Sequence, residues 1–165
     1  MLFRSAATYA KGGYQALIFA SDPAEAGSEA VLFGYQPPSG YNLTDAALLD
    51  DRSALMLHRR FTPFEGVSAI VSIAQLKDFR PGNVATSIPI ATLKPPLKVD
   101  NMEALAVTRK GDETIVWIAS DDNFSALQES LLFKFRLLDA GTTPTKPKTG
   151  AQNEKAGETP GFSTV

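Results

Sequence analysis

Ala104-Leu105-Ala106-Val107, Thr114-Ile115-Val116-Trp117-Ile118 and Ser120-Asp121-Asp122-Asn123-Phe124, all inside the stretch Asn101 to Leu138, decide how this chain is read. The first run is short, apolar and built of small residues. The polar segment Thr108-Arg109-Lys110-Gly111-Asp112-Glu113 separates it from the second run, which is β-branched and aromatic. Two apolar runs around a Gly-containing polar turn predict a β-hairpin. The return run is apolar at successive positions, so both faces of that strand are expected to be covered. Trp117, in mid-strand, reads as core rather than as a ligand platform. After Phe124 a polar link leads to Leu131-Leu132-Phe133-Lys134-Phe135-Arg136-Leu137. There Phe133, Phe135 and Leu137 alternate with Lys134 and Arg136, the period-two pattern of a half-exposed strand.

Upstream, the same order recurs. Asp45-Ala46-Ala47-Leu48-Leu49 leads to the turn Asp50-Asp51-Arg52-Ser53, and Ala54-Leu55-Met56-Leu57-His58 returns. Arg59 to Phe64 reads as a corner, Val67 to Leu76 as a third strand and Ala85 to Leu93 as a fourth. Pro95-Pro96 carries the chain onward. This is an internal repeat of roughly sixty residues, longer than the ~40–50 of small propeller blades. It sets Ala46-Ala47-Leu48-Leu49 beside Ala104 to Val107, and Leu55-Met56-Leu57 beside Val116-Trp117-Ile118. In both copies the first strand is rich in small residues and the second is bulky. Small side chains near an axis and large ones further out are the taper of a β-propeller.

The fold class predicted is therefore all-β, a partial β-propeller of about two to three antiparallel blades spanning residues 1–138. Tyr14 to Ala20 and Val31 to Tyr35 would be the outer strands of a preceding blade. Residues 1–13 are small and polar, broken by Gly12-Gly13, and are not expected to form a strand. Residues 139–165 hold almost no bulky apolar side chain besides Phe162. Such a segment buries too little surface to offset its ordering entropy, so a disordered tail is expected. A complete propeller has at least about four blades. The chain is therefore expected to be the C-terminal fragment of a longer protein, prone to self-associate through bare blade faces.

Composition narrows the function. With 44% hydrophobic and 21% charged residues in 165, the chain matches a soluble globular domain. A net charge of −2 offers no basic face for nucleic acid. No apolar run approaches the ~20 residues of a transmembrane segment, and Met1 to Ser5 lacks the apolar core of a signal peptide. The absence of Cys excludes disulfides and thiolate zinc sites, and His58 as the only histidine excludes a histidine-rich metal site. No Gly-x-Ser-x-Gly, Walker or dinucleotide motif is present.

Chemistry is expected where hairpin ends meet. The start of one strand lies beside the end of its return, so Thr44 and Asp45 should neighbour His58 and Arg59. Asp100 to Glu103 should likewise neighbour Ser120 to Asp122. If the copies are related by a propeller rotation, one mouth carries Asp45, His58, Arg59, Arg60, Asp100, Glu103, Asp121, Asp122 and Asn123. Carboxylate oxygens suit Ca²⁺, which nominates Asp45, Glu103, Asp121 and Asp122 as metal ligands. Guanidiniums suit phosphate oxygens, which nominates Arg59 and Arg60 for catalysis beside Glu103 and Asp122. The alternative is structural: Asp and Asn at strand ends close Asx-turns, with the arginines pairing to them.

Asn101 to Val107, with Ser120 to Phe124 and Gln128, resembles the closing motif of the phytase-like β-propeller family, labelled as having esterase-like activity. Leu43 to Leu48 and Leu57 to Phe61 resemble that family's preceding blade. The likeness covers Tyr14 to Leu138. It departs at Ala104, where Gly is expected, at His58, where Glu is expected, and at Glu129, where a basic residue is common. The resemblance implies a hydrolase acting on a small phosphoester ligand with help from Ca²⁺, in the periplasm or secreted. A non-catalytic propeller binding module is the other reading that stays open.

Overall fold

Among the described residues every regular segment is extended, apart from a 3-10 turn at Leu76–Asp78. The computed structural model describes residues 2–125, 128–138 and 162–164. Its strands are β1 (Leu2–Thr8), β2 (Tyr14–Phe19), β3 (Ala30–Tyr35), β4 (Asn42–Leu48), β5 (Ser53–Thr62) and β6 (Gly66–Gln75). They continue with β7 (Val84–Ala85), β8 (Ile88–Leu93), β9 (Met102–Lys110), β10 (Glu113–Ser120), β11 (Leu132–Leu137) and β12 (Phe162–Thr164). Three four-stranded sheets result, ordered β1-β2-β3-β7, β4-β5-β6-β8 and β9-β10-β11-β12. All neighbours are antiparallel except β3 and β7. No helix among the described residues is long and apolar enough to cross a membrane, which says nothing of a β-barrel.

The second sheet is the middle layer of a stack. On one side Ala54, Met56, Ala74 and Leu43 pack with Ala16, Phe33 and Tyr35 of the first sheet. On the other, Leu55, Leu57, Ala69 and Val71 pack with Met102, Leu105, Val116, Ile118 and Phe135 of the third. Successive side chains of a strand point to opposite faces, so a strand covered on both sides must be apolar throughout. That is why Ala54-Leu55-Met56-Leu57 shows no alternation. Between the sheets, β4 and β9 make the most extensive approach. Ala46 and Ala47 sit there, and small side chains let two backbones come close. The arrangement is compatible with consecutive blades of a partial β-propeller, and among the described residues the sheets do not close into a barrel.

The structure corrects several local expectations. Residues 2–8 do form a strand, β1, paired with β2. Arg59 to Thr62 continue β5 rather than turning, and the corner falls at Pro63 to Glu65. Ala85 to Leu93 is not one strand: β7 pairs with β3 of the first sheet, and only β8 joins β6. The β9–β10 turn shrinks to Gly111-Asp112, with Gly111 at φ +59°, the Gly-first geometry favoured in two-residue hairpins. Trp117 is not core. It is half-buried on the third sheet's outer face, donating its indole N–H to Thr108 at 3.0 Å, with the Lys134 ammonium 5.4 Å from its ring centroid.

Within residues 139–165, Phe162–Thr164 pair with Leu137, Arg136 and Phe135 as β12. The open edge of β11 supplies unpaired backbone groups that a following segment can satisfy. The rest of that segment lies outside the described residues.

Finally, the repeat is shifted by one residue from the sequence alignment. Each first strand carries one extra residue, Thr44 between Leu43 and Asp45, and Glu103 between Met102 and Ala104. Leu43–His58 thus corresponds to Met102–Ser120, and Leu55 to Trp117 rather than Val116. Burial agrees: Met56 and Ile118 both face the preceding sheet. A one-residue slip exchanges the two faces of a strand, so the distinction decides what points where.

Candidate functional site

The two bulges fall at the same end of their hairpins, where β4 and β9 begin. A bulge re-aims its side chains. Glu103, the extra residue of β9, reaches toward the central sheet, and its Oε1 lies 3.7 Å from Arg59 Nη2. Both side chains keep over a third of their surface open, 36% for Arg59 and 39% for Glu103. At that distance and exposure the pair is a loose one, screened by water, with guanidinium donors to spare. It is the one contact between the nominated arginines and carboxylates that the structure makes across sheets.

Asp45 sits beside this pair but is committed elsewhere. Its Oδ1 accepts the Ala46 N–H at 2.8 Å and its Oδ2 accepts the Leu105 N–H of the third sheet at 2.6 Å. Arg60 turns the other way. Its Nη2 pairs with Glu65 Oε2 at 2.5 Å, its guanidinium stacks 5.0 Å from the Tyr41 ring centroid, and its Nε is buried without a hydrogen-bond partner.

The acidic corner is a set of backbone clamps. Asp121 Oδ1 accepts the Asn123 N–H at 3.1 Å, and Asp122 Oδ1 accepts that of Phe124 at 2.9 Å. These bonds hold Asn123 and Phe124 at φ +50° and +57°, where most side chains are disfavoured. Asp122 Oδ2 accepts the Ser130 hydroxyl at 3.0 Å. Asp100 closes the loop from below, taking the Gln128 side-chain amide at 3.2 Å and the Glu129 N–H at 2.8 Å. Asn123 also donates to Gln128 Oε1 at 3.2 Å, and Glu129 pairs with Lys98.

These commitments test whether the set suits Ca²⁺. A hard cation needs several oxygens converging on one point. Among the described residues no three His, Asp or Glu side chains do so. Asp45 and Asp122 have both oxygens occupied by hydrogen bonds, and Glu103 faces Arg59. Among the described residues, then, Asp45, Glu103, Asp121 and Asp122 do not form a group of three or more ligands around one point.

His58, expected at the mouth, is fully buried between the first and central sheets. Its Nδ1–H faces the Ile70 carbonyl at 3.3 Å, and Nε2 accepts the Tyr35 hydroxyl at 2.7 Å. Tyr35 in turn lies 2.7 Å from Ser87 Oγ, which accepts from Ser72 at 2.7 Å. Burial holds the imidazole down to about 4 and pushes the Tyr35 phenol up to about 12, so both stay neutral near pH 7. Sequence reasoning missed this network, since Tyr35, Ser72 and Ser87 come from separate strands and connections. It also missed a cleft between the first two sheets, lined by Tyr14, Gln36, Tyr41 and Asn42 among others. The Pro37-Pro38 turn was the available signal.

Stacked sheets whose first strands carry matching bulges at one rim, Thr44 and Glu103, define an all-β scaffold of layers. The chain belongs to the phytase-like family: that family's profile, described as esterase-like activity of phytase, matches residues 4–124. No curated protein and no solved structure matches it.

Proposed function

We propose that the protein is a phytase-like hydrolase of phosphoesters, with Arg59 and Glu103 as its working pair. In this reading the three sheets are consecutive blades of a β-propeller, and the rim of β4 and β9 lies at its mouth. One observation carries the reading: two opposite charges from adjacent sheets meet loosely at 3.7 Å and stay open to solvent. A phosphoester offers anionic oxygens that match the guanidinium fork better than a distant carboxylate does. Arg59 exchanges Glu103 for a phosphoryl oxygen, and the released carboxylate holds a water. The water oxygen bonds to phosphorus, its proton passes to Glu103, and the bond from phosphorus to the ester oxygen breaks. The alcohol leaves with a proton from solvent. Asp45, Asp121 and Asp122 frame the rim and do not touch the substrate, while Arg60 stays with Glu65.

The test is hydrolysis of p-nitrophenyl phosphate by the full-length protein, with and without a chelator. Arg59→Ala is expected to raise KM about tenfold or more, and Glu103→Gln to lower kcat with little change in KM. Turnover untouched by both changes would remove the pair from the mechanism. No turnover in the wild type selects the second reading, a non-catalytic binding module. That reading is favoured by the full commitment of the Asp45 and Asp122 oxygens to hydrogen bonds.

A further inference from the structure

A second opening lies between the first and central sheets, its lining including Asn42, the cross-strand partner of Arg59, but neither Arg59 nor Glu103. It is a cleft of about 680 Å³ lined chiefly by Thr8, Tyr14, Gln36, Pro38, Tyr41 and Asn42. Clefts of about 300–1,000 Å³ are of the size that holds a small molecule. Its walls are fixed before any ligand arrives. Tyr14 donates its hydroxyl to Asn42 Oδ1 at 3.3 Å, joining the two sheets at the cleft. The Tyr41 hydroxyl lies 3.1 Å from Ser68 Oγ, and Arg60 braces its ring. Gly13, also in the lining, has φ +73°, and a Cβ there would meet the Tyr35 carbonyl oxygen at 2.6 Å. Only glycine lets the floor close that tightly.

The lining has a consistent chemistry. It combines two tyrosines and two prolines with amides from Gln36 and Asn42 and hydroxyls from Thr8 and Ser39. No Lys, Arg, His, Asp or Glu lines it among the described residues. The nearby Arg60 is already neutralised by Glu65. A phosphate or carboxylate would find no charged side chain in the lining itself, and the bordering Arg60 is engaged by Glu65 and the Tyr41 ring, so it would lose hydration with little return. A sugar ring would not: its C–H faces suit tyrosine and proline, and its hydroxyls suit amides. We propose that the cleft is a binding site for a neutral saccharide.

The experiment is a set of ¹H–¹⁵N titrations of the full chain with glucose, galactose, N-acetylglucosamine, inorganic phosphate and a proline-rich peptide, each at millimolar concentration. At least one sugar is expected to shift the amides of Gly13, Gln36, Tyr41 and Asn42. Gln36→Ala and Asn42→Ala, both at exposed positions, should weaken that binding about tenfold; Gln36→Ala should leave the remaining spectrum intact, and Asn42→Ala should shift it only around the lost Tyr14 contact. Silence with all three sugars overturns the proposal, as do variants that bind like the wild type. Phosphate shifting the same amides as strongly as the best sugar overturns it too, and so does the peptide binding where the sugars fail. Because Arg59 and Glu103 are not in the lining, loss of phosphoester turnover leaves this result unaffected.

Discussion

Asp45 Oδ2 accepts the backbone N–H of Leu105 at 2.6 Å, so one carboxylate on β4 secures the edge strand of the next sheet. Removing it leaves a half-buried N–H without its charged partner. Asp45→Ala is expected to lower stability by about 1–3 kcal/mol, read as a lower urea midpoint. If Asp45 is a brace and not a metal ligand, Ca²⁺ should leave wild-type and variant midpoints equally unmoved. A Ca²⁺-dependent rise seen in the wild type alone would restore the metal assignment.

Stability should also depend on pH through His58. Its imidazole titrates near 4 in the folded chain and near 6.5 when unfolded, so between these values the unfolded chain binds more protons. The stabilising contribution is complete above about 6.5, fades as pH falls, and is gone below about 4. The total is of order 3 kcal/mol. Tyr35, titrating at about 12, does not change over this window. Urea midpoints for wild type and His58→Phe should converge toward acid pH. Parallel curves from pH 7 to 4 would assign the acid loss to other groups.

Two neighbouring glycines separate backbone strain from crowding. Gly12 and Gly13 both have positive φ, +104° and +73°, but only at Gly13 does a Cβ meet backbone atoms. Gly12→Ala is expected to cost about 1 kcal/mol from conformation alone. Gly13→Ala should cost clearly more and narrow the sugar cleft. Equal thermal shifts for the two variants would refute the close approach of Tyr35.

Asp100 restrains the loop after the acidic corner through Gln128 and Glu129. Asp100→Ala should speed limited proteolysis near those residues several-fold. Phosphoester KM should hold, because neither Arg59 nor Glu103 contacts Asp100. A matching rise in KM would mean that the loop shapes the rim.

Much of this architecture was legible in the sequence, for identifiable reasons. The β9–β10 hairpin was readable because β-branched residues flank a glycine turn, and the start of β5 because an apolar run follows the polar turn Asp50 to Ser53. The register of the repeat was not, since the bulges at Thr44 and Glu103 alter no composition. The rim was placed from hairpin geometry alone, yet partner choice was hidden. Whether Arg60 turns to Glu65 or toward Asp122 depends on side-chain reach after the corner at Pro63 has formed. At Asp121 and Asp122 an Asx clamp and a metal ligand draw on the same residue type, so composition does not choose between them.

The two-residue strand β7 has a consequence for how the molecule comes apart. It leaves the central sheet's chain, lies parallel to β3, and receives the Gly34 N–H at Asn83 O and the Gln36 N–H at Ala85 O, both at 2.9 Å. The outer margin of one layer is thereby stitched by thread belonging to the next. Fraying of β3 and loosening of residues 83–85 become a single event, so the Gly34 and Gln36 amides should exchange with deuterium at one shared rate.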